Sequence, residues 1–228
     1  MSFSGFPKEG LTFLKQLGAN NDREWFEEHR AVWDDQIVPA MLGLCGALQE
    51  RLTDVMPNLV LQPRIGGSLY RLNRDIRFSK DKSPYKTHAA AILWDGPDKH
   101  LSPGLYLHVS AEQVIFGGGI WVFEEEGLID RFRKRVAAER SGERLQEALA
   151  HAKKAGLEPG AHEKLQKVPR GVSPEHPRAE LLKLKGLTVT RSQKAGVWVH
   201  TGELLDRAET AARGYAPVHT WLRQELFG

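Results

Sequence analysis

Apolar residues in the N-terminal part of the chain recur at three- and four-residue intervals, which is the spacing of an amphipathic helix. Residues 7–17 have this spacing and are followed by Gly18, a residue suited to ending a helix. Polar capping residues at 20–22 then precede a longer apolar stripe that extends to Leu52. Because Pro39 lies inside this stripe, the pattern predicts a long helix that is kinked or broken near Val38.

From Ser68 onward the apolar spacing changes to every second residue, which is typical of a strand with one buried face. Residues 68–78 are therefore predicted to form a strand with one charged face. The apolar face carries Tyr70, Leu72, Ile76 and Phe78, the other face carries Arg71, Asn73, Asp75 and Arg77, and Arg74 is the exception on the apolar side. Residues 79–84 are predicted to be a loop, and 88–94, 105–110 and 114–116 to be further strands, the last two forming a hairpin.

Helical spacing returns in the second half of the chain. The three glutamates at 124–126 favour a helix start through the helix dipole, and an apolar stripe from Leu128 to Val136 predicts a helix that ends near 141–142. Leu145 and Leu149 mark a further helix. Ser173 and Pro174 are a good cap and first-turn pair for another helix, and residues 187–190 are predicted to be a strand. Two final helices are expected at 201–215 and 217–227. This order of helices, then strands, then helices predicts an α+β fold. We expect a mainly antiparallel sheet, a central meander, that is packed by the N- and C-terminal helices. The chain is predicted to form a single domain over 1–228.

Composition is that of an ordinary water-soluble globular protein, with 41% hydrophobic and 27% charged residues. The single cysteine, Cys45, excludes an intrachain disulfide, and its leucine neighbours at helical spacing predict a buried apolar position. No apolar run approaches the length of a membrane span, and the N-terminus lacks the apolar stretch of a signal peptide. We therefore expect a cytoplasmic protein that does not enter a membrane, and the oligomeric state is left open.

Positive charge is concentrated in residues 71–86. Six cations against Asp75 and Asp81 give this segment a net charge of +4, more than the +3 of the whole chain. Clustered cations repel one another and therefore need internal partners or a bound anion. The predicted ligand-binding residues are Arg71, Arg74, Arg77, Lys80, Lys82, Lys86 and Arg170, the last of which precedes the cap at Ser173.

Two interpretations of this basic segment remain. In one, Arg71 and Arg77 flank Asp75 on one strand face and direct their spare donors, with the lysines that follow, at a phosphate, sulfate or carboxylate ligand. In the other, the same residues form a ladder of internal ion pairs. The three glycines at 117–119 lack the spacing of a phosphate-binding loop, and a bulge beside Trp121 is the favoured role.

Catalytic candidates are few. His108 shares a predicted strand face with Tyr106, and Asp75 lies among the arginines, so these two are the candidates for proton transfer. His88 follows the basic segment and is interpreted, like His108, first as a structural hydrogen-bonding residue. The histidines show no spacing typical of zinc sites, so neither a metal nor a cofactor is expected.

Several motifs together resemble the domain of unknown function 2461 family, a widespread group of conserved hypothetical proteins. They are NNDREWFEEHR, SLYRLNRDIRFSKDKSPYKTH, GGGIW and KVPRGVSPEHPRAELLKLK, and they occur in the expected order between about residues 3 and 192. The resemblance implies a family domain with no established activity, and it transfers no catalytic residue.

The sequence thus leaves three functions open. The first is binding of a small anionic ligand, phosphorylated in the favoured case, at the basic segment, with or without enzymatic activity. The second is binding of nucleic acid without recognition of its base sequence, with Tyr70, Phe78 and Tyr85 available for stacking on bases. The net charge of the chain is low for a nucleic-acid-binding protein. The third is a structural or partner-binding protein whose arginines are paired internally.

Overall fold

A computed structural model describes residues 3–228 and contains an α+β fold with a five-stranded antiparallel sheet. The strands are β1 (His88–Trp94), β2 (Gly104–Ser110), β3 (Gln113–Ile120), β4 (Glu158–Gly160) and β5 (Leu187–Lys194). The sheet order is β1-β2-β3-β5-β4. β4 pairs with β5 in antiparallel register, with Pro159 opposite Val189. The predicted fold class is therefore confirmed, although β4 was not predicted.

The helices are α1 (Lys8–Ala19), α2 (Arg23–Val32), α3 (Val38–Arg51), α4 (Leu128–Ala137), α5 (Glu139–Lys154), α6 (Ala179–Leu182) and α7 (Glu203–Leu226). A π-helical turn, Trp33–Ile37, joins α2 to α3, and a 3-10 turn occupies Val197–His200. Asp22 caps α2 by accepting a 2.9 Å hydrogen bond from the backbone N–H of Trp25. Pro39 lies in the first turn of α3, where the missing N–H costs nothing, and the irregularity predicted there is the π-helical turn.

By their internal contacts, the described residues form two compact units. The first comprises 3–93, 106–116 and 192–209. Its helical part packs apolar side chains of α1, the π-helical turn and α3 together, including Leu17, Trp33 and Leu48. Cys45 lies in this core, and burial raises the pKa of its thiol to about 12, so it is an apolar packing residue rather than a nucleophile.

The second unit comprises 94–105, 117–191 and 210–228. Phe132 and Trp221 pack edge to face within it, and the Trp221 indole donates a 2.8 Å hydrogen bond to the Ser141 carbonyl. The buried Arg178 guanidinium donates to the carbonyls of Val136 and Ala137 at 2.7 and 3.2 Å. These bonds satisfy carbonyls at the end of α4 that have no partner inside the helix.

Three helix predictions in the C-terminal half were wrong in detail. α5 begins at Glu139 and continues through the predicted stop at 141–142, while the helix expected after Ser173 is confined to α6. α7 is one continuous helix with Pro217 inside it, rather than two. Gly214 is required there by close packing, because a β-carbon at this position would lie 2.4 Å from that of Ala155.

Candidate functional site

Five titratable side chains come together on one face of β1 and β2 in the first unit, and we call them the polar cluster. Its members are Tyr70, Lys86, His88, Tyr106 and His108. Alternation along β2 places Tyr106 and His108 on the same face, while Leu105, Leu107 and Val109 on the other face are buried. The predicted pairing of Tyr106 with His108 on one strand face is confirmed.

Tyr70 reaches the polar cluster because a short extended segment lies along β1. The N–H of Tyr70 donates to the Ala90 carbonyl at 2.9 Å, and Leu69 is bridged to Ala91. Tyr70 and Ala90 therefore share a face, and β1 lies between Tyr70 and β2. Since Ala90 has only a methyl side chain, the ring of Tyr70 contacts that of Tyr106 across β1, with the centroids 6.3 Å apart.

The two imidazoles stack directly. The ring centroids of His88 and His108 are 4.1 Å apart and the rings are inclined by 22°. The Tyr106 hydroxyl lies 3.3 Å from Nδ1 of His108, close enough to donate a weak hydrogen bond to a neutral imidazole. Within residues 3–228, neither ring nitrogen of His88 has a hydrogen-bond partner. The polar cluster thus has one imidazole engaged by a tyrosine and one whose nitrogens are available.

Lys86 supplies the cation of the polar cluster. Its Nζ donates a 2.8 Å hydrogen bond to the Arg71 carbonyl and lies 5.8 Å from the centroid of the Tyr70 ring. Within the described part of the chain, no carboxylate pairs with this ammonium group. Burial lowers its pKa, as expected for a cation that is partly desolvated and lacks a counter-charge.

Burial also sets the charge of the other members. It lowers the pKa of His88 to about 4, with further lowering by His108 and Lys86. It lowers the pKa of His108 as well, although Glu112 acts in the opposite direction. Burial raises the pKa of Tyr106 to about 12 and raises that of Tyr70. At neutral pH the imidazole of His88 and both tyrosines are uncharged, so the ammonium group of Lys86 is the main charge of the polar cluster.

The basic segment itself is not the predicted strand. Residues 71–87 follow an irregular course, with one isolated bridge between Asn73 and Tyr85. The chain doubles back on itself, and the N–H of Arg74 donates to the Pro84 carbonyl at 2.8 Å. The alternating polarity predicted that Phe78 lies on the apolar face of a strand, but Phe78 is almost fully exposed. The buried aromatic residue is instead Tyr85, which lies outside the predicted strand.

Asp75 is held by one arginine rather than two. Arg77 donates to its carboxylate through Nε at 2.9 Å and Nη2 at 2.7 Å, which lowers the pKa of Asp75 to about 2. The prediction that Arg71 also flanks Asp75 was wrong, because Arg71 lies against the turn at Gly66 instead. Asp75 is exposed and paired with Arg77, and within the described residues no hydrogen bond or ion pair joins it to the polar cluster, so it is poorly placed as the proton-transfer group.

The remaining cations of the basic segment are directed mainly into their own loop. Arg74 pairs with Asp81 and donates to the Ser83 carbonyl at 3.1 Å, and Lys82 donates to the Ile76 carbonyl at 2.9 Å. Lys80 is exposed. The pairs of Arg74 and Arg77 match the internal ion pairs of the alternative interpretation, which leaves Arg71, Lys80, Lys82 and Lys86 without a carboxylate among residues 3–228.

Arg64 is a cation that sequence analysis missed. A β-carbon at Gly66 would lie 3.6 Å from Nε of Arg71 and 3.9 Å from Nη1 of Arg64, so both guanidiniums lie beside the same turn. The glycine pair after Arg64 was the available signal, since it permits a tight turn that returns the chain toward Arg71. Arg170 is exposed in a loop of the second unit.

The three glycines at 117–119 lie within β3. A β-carbon at Gly118 would lie 2.3 Å from the Tyr215 ring, so this position must be glycine for the ring to pack against the strand. The close approach of the Tyr215 ring therefore accounts for the glycine at position 118, and no bound anion is needed to explain it.

A second polar group is buried in the second unit. Asp95 lies 3.2 Å from Nε2 of His219 and 3.3 Å from Nε of Arg223, and burial lowers the pKa of His219 despite the carboxylate. Asp95 and His219 are each only 4% exposed, so a substrate has no access to them. We interpret this group as structural.

A cavity of about 580 Å³ lies in the first unit beside the start of α1. Phe3, Phe6, Pro39 and His200 are among its lining residues, and the His200 Nδ1 lies 2.8 Å from the Phe6 carbonyl. It contains no pair of acid and base groups comparable to Tyr106 and His108.

Among residues 3–228, no three histidine, cysteine or acidic side chains are grouped to hold a metal ion, and no helix has the length and apolar character to cross a bilayer.

A family model described as "Conserved hypothetical protein (DUF2461)" matches residues 9–221 of the 228-residue chain. This match includes every member of the polar cluster and the whole basic segment. The comparison with curated proteins found no match.

Proposed function

We propose that this protein, which belongs to the DUF2461 family, binds a small oxyanion-bearing ligand, such as a phosphorylated metabolite, at the polar cluster. The observation that carries the proposal is the Lys86 ammonium group, partly desolvated and without a carboxylate partner, beside a stacked pair of histidines and two tyrosines. A bound oxyanion would supply the missing counter-charge and accept hydrogen bonds from the surrounding donors.

An anion at the polar cluster would also change its protonation. The pKa of His88 is held near 4 by burial, by His108 and by the cation Lys86, and a nearby negative charge opposes these causes. Binding of the ligand would therefore raise the pKa of His88 and draw a proton into the site. By linkage, the affinity for an anion of constant charge increases as the pH falls below neutrality.

Tyr106 and His108 are the residues that we propose for proton transfer if the ligand reacts. Because the Tyr106 hydroxyl donates to Nδ1 of neutral His108 at 3.3 Å, the ring carries its own proton on Nε2. A proton taken from the ligand would pass to the Tyr106 oxygen while the hydroxyl gives its proton to Nδ1, which leaves His108 as an imidazolium. Asp75 has no such role in this proposal, because Arg77 neutralises its carboxylate within the loop.

The proposal is tested with sulfate, which keeps its double charge between pH 5 and 8 and so isolates the titration of the protein. Calorimetric titration of wild-type protein with sulfate should show binding that tightens at lower pH, and glycerol phosphate should bind at pH 8, where it is a dianion. Lys86→Met should weaken binding by about 10- to 150-fold, since a charge-assisted contact contributes about 1.5–3 kcal/mol. Lys80→Met, which removes an exposed lysine of the same segment, serves as the matched control and should bind as wild type does.

Two results would contradict the proposal. One is the absence of measurable binding of either anion to wild-type protein at low ionic strength. The other is loss of binding in Arg71→Met with Lys86→Met unaffected, which would locate the anion at the turn where Arg64 and Arg71 meet. A crystal soaked in sulfate would distinguish the two positions directly.

A further inference from the structure

Phe78 is the most exposed large apolar side chain among residues 3–228, with 95% of its surface accessible to solvent. Trp121 is 60% exposed and stacks on His162, whereas no aromatic ring among residues 3–228 covers Phe78. Single exposed apolar side chains are common on protein surfaces, so one of them points to a binding role only when it sits in a specific, ordered setting.

The loop that carries Phe78 is such a setting. We call residues 74–83 the Phe78 loop. Arg74 ties its two ends by pairing with Asp81 and donating to the Ser83 carbonyl. Lys82 crosses the loop to the Ile76 carbonyl at 2.9 Å, and the N–H of Ser79 closes a turn on the same carbonyl at 3.3 Å. The Phe78 ring is therefore presented by a loop whose shape is set by its own hydrogen bonds.

The Phe78 loop is also positively charged toward solvent. Both of its carboxylates are occupied inside it, Asp75 by Arg77 and Asp81 by Arg74. Lys80 and Lys82 are exposed, and no carboxylate among residues 3–228 pairs with either of them. The Arg77 guanidinium, which is paired with Asp75 and 76% exposed, lies 5.9 Å from the centroid of the Phe78 ring. The exposed aromatic ring thus lies in a loop with two lysines that no carboxylate neutralises.

We propose that the Phe78 loop binds single-stranded nucleic acid by stacking Phe78 on an unpaired base while Lys80 and Lys82 contact the adjacent phosphates. An aromatic ring among cations is the arrangement that binds single strands without reading their sequence. Duplex nucleic acid offers no free base face to a single ring at a loop tip. The other two aromatics of the segment do not contribute, because Tyr85 is buried and Tyr70 belongs to the polar cluster.

A lipid surface fits the same loop less well. Ile76 is half-buried and the residues that flank Phe78 are Arg77 and Ser79, so the ring has no apolar companion to enter a bilayer with it. One ring face suffices for one base. The charge and the single exposed ring therefore favour the nucleic-acid partner.

The test compares two substitutions at Phe78 that separate stacking from simple hydrophobicity. Binding of a fluorescein-labelled oligothymidylate is followed by anisotropy at low salt. Phe78→Leu keeps an apolar side chain but loses the aromatic face, and should weaken binding by about tenfold, whereas Phe78→Trp should bind at least as tightly as wild type. Trp121→Leu, which changes an exposed aromatic in the second unit, should have no effect.

Charge is tested separately through the salt dependence of binding. Replacing Lys80 alone by alanine, which keeps the hydrogen bond from Lys82 to the Ile76 carbonyl, should reduce the slope of log affinity against log salt by about 0.7, because each phosphate contact on a single strand contributes about 0.7. All these side chains are exposed, so the variants should keep the far-ultraviolet circular dichroism spectrum and the Tm of wild type.

The inference is overturned if wild-type protein does not bind the oligothymidylate at low salt, or if Phe78→Leu binds it as tightly as wild type does. A second outcome also overturns it: wild type and Phe78→Leu both bind phosphatidylserine vesicles, and the oligothymidylate does not displace the vesicles. That outcome would assign the loop to a lipid surface. Sulfate binding at the polar cluster should be unchanged in Phe78→Leu, so this inference and the proposed function can fail independently.

Discussion

Mild acid should destabilise this protein through His88, and His88→Gln should remove part of that effect. The pKa of His88 is lowered from 6.5 to about 4 in the folded protein, mainly by burial. In the unfolded chain the imidazole takes up a proton below about pH 6.5, whereas in the folded protein it does so only near pH 4. The unfolded state therefore binds more protons between these values, and the free energy of unfolding falls as the pH falls through this window.

The size of the effect follows from the shift. One pKa unit corresponds to about 1.4 kcal/mol, so a fully desolvated ring with this shift would lose about 2 kcal/mol between pH 7 and pH 5. His88 is only partly buried, and solvent screening reduces the expected loss to about 1 kcal/mol. His108, whose pKa is also lowered, contributes with the same sign.

The assay is urea unfolding followed by tryptophan fluorescence at pH 7, 6 and 5. Wild type should lose about 1 kcal/mol more than His88→Gln over this range. His100→Gln, which replaces an exposed histidine, is the matched control and should follow wild type. Equal pH dependence in wild type and His88→Gln would refute the reasoning, as would an NMR titration that places the His88 imidazole at its ordinary pKa.

Two further changes test the packing and hydrogen bonding around the site. Tyr106→Phe removes the hydroxyl that donates to neutral His108, so the pKa of His108 should rise toward its ordinary value in an NMR titration, and an unchanged pKa would exclude this hydrogen bond. Gly118→Ala places a methyl group 2.3 Å from the Tyr215 ring and should cost about 3 kcal/mol or more in urea unfolding. Gly127→Ala, at φ +75° with open space around it, should cost only about 1 kcal/mol, and equal losses for the two glycines would contradict the packing argument.

The hairpin of β2 and β3 was predictable because its alternation coincides with real burial on one face. Leu105, Leu107 and Val109 are buried, and Tyr106 and His108 lie on the opposite face. This regularity is why the pairing of the two candidate residues followed from spacing alone. Segment 71–86 has the same kind of alternation, but there it arises from ion pairs within an irregular loop rather than from a sheet with one buried face.

Which residues meet from distant parts of the chain could not be read from local pattern. Tyr70 joins Tyr106 only because a segment outside the named strands pairs with β1, and because Ala90 is small enough to leave room above it. The predicted boundaries of the helices in the C-terminal half were wrong for a related reason. Gly214 is a residue type that often ends a helix, but here its missing side chain allows α7 to pack closely against Ala155.

The charge of the basic segment is divided between three environments. Arg74 and Arg77 are neutralised by carboxylates that stabilise the Phe78 loop, so they shape the loop more than they attract a ligand. Lys80 and Lys82 remain exposed, and Lys86 turns toward the polar cluster, where it lacks a counter-charge. Since salt screens exposed cations far more than partly buried ones, added salt should abolish oligonucleotide binding at the loop before it abolishes sulfate-specific binding at Lys86. The order of these two losses in a single chloride titration distinguishes two separate sites from one diffuse basic patch, for which both ligands would be lost together.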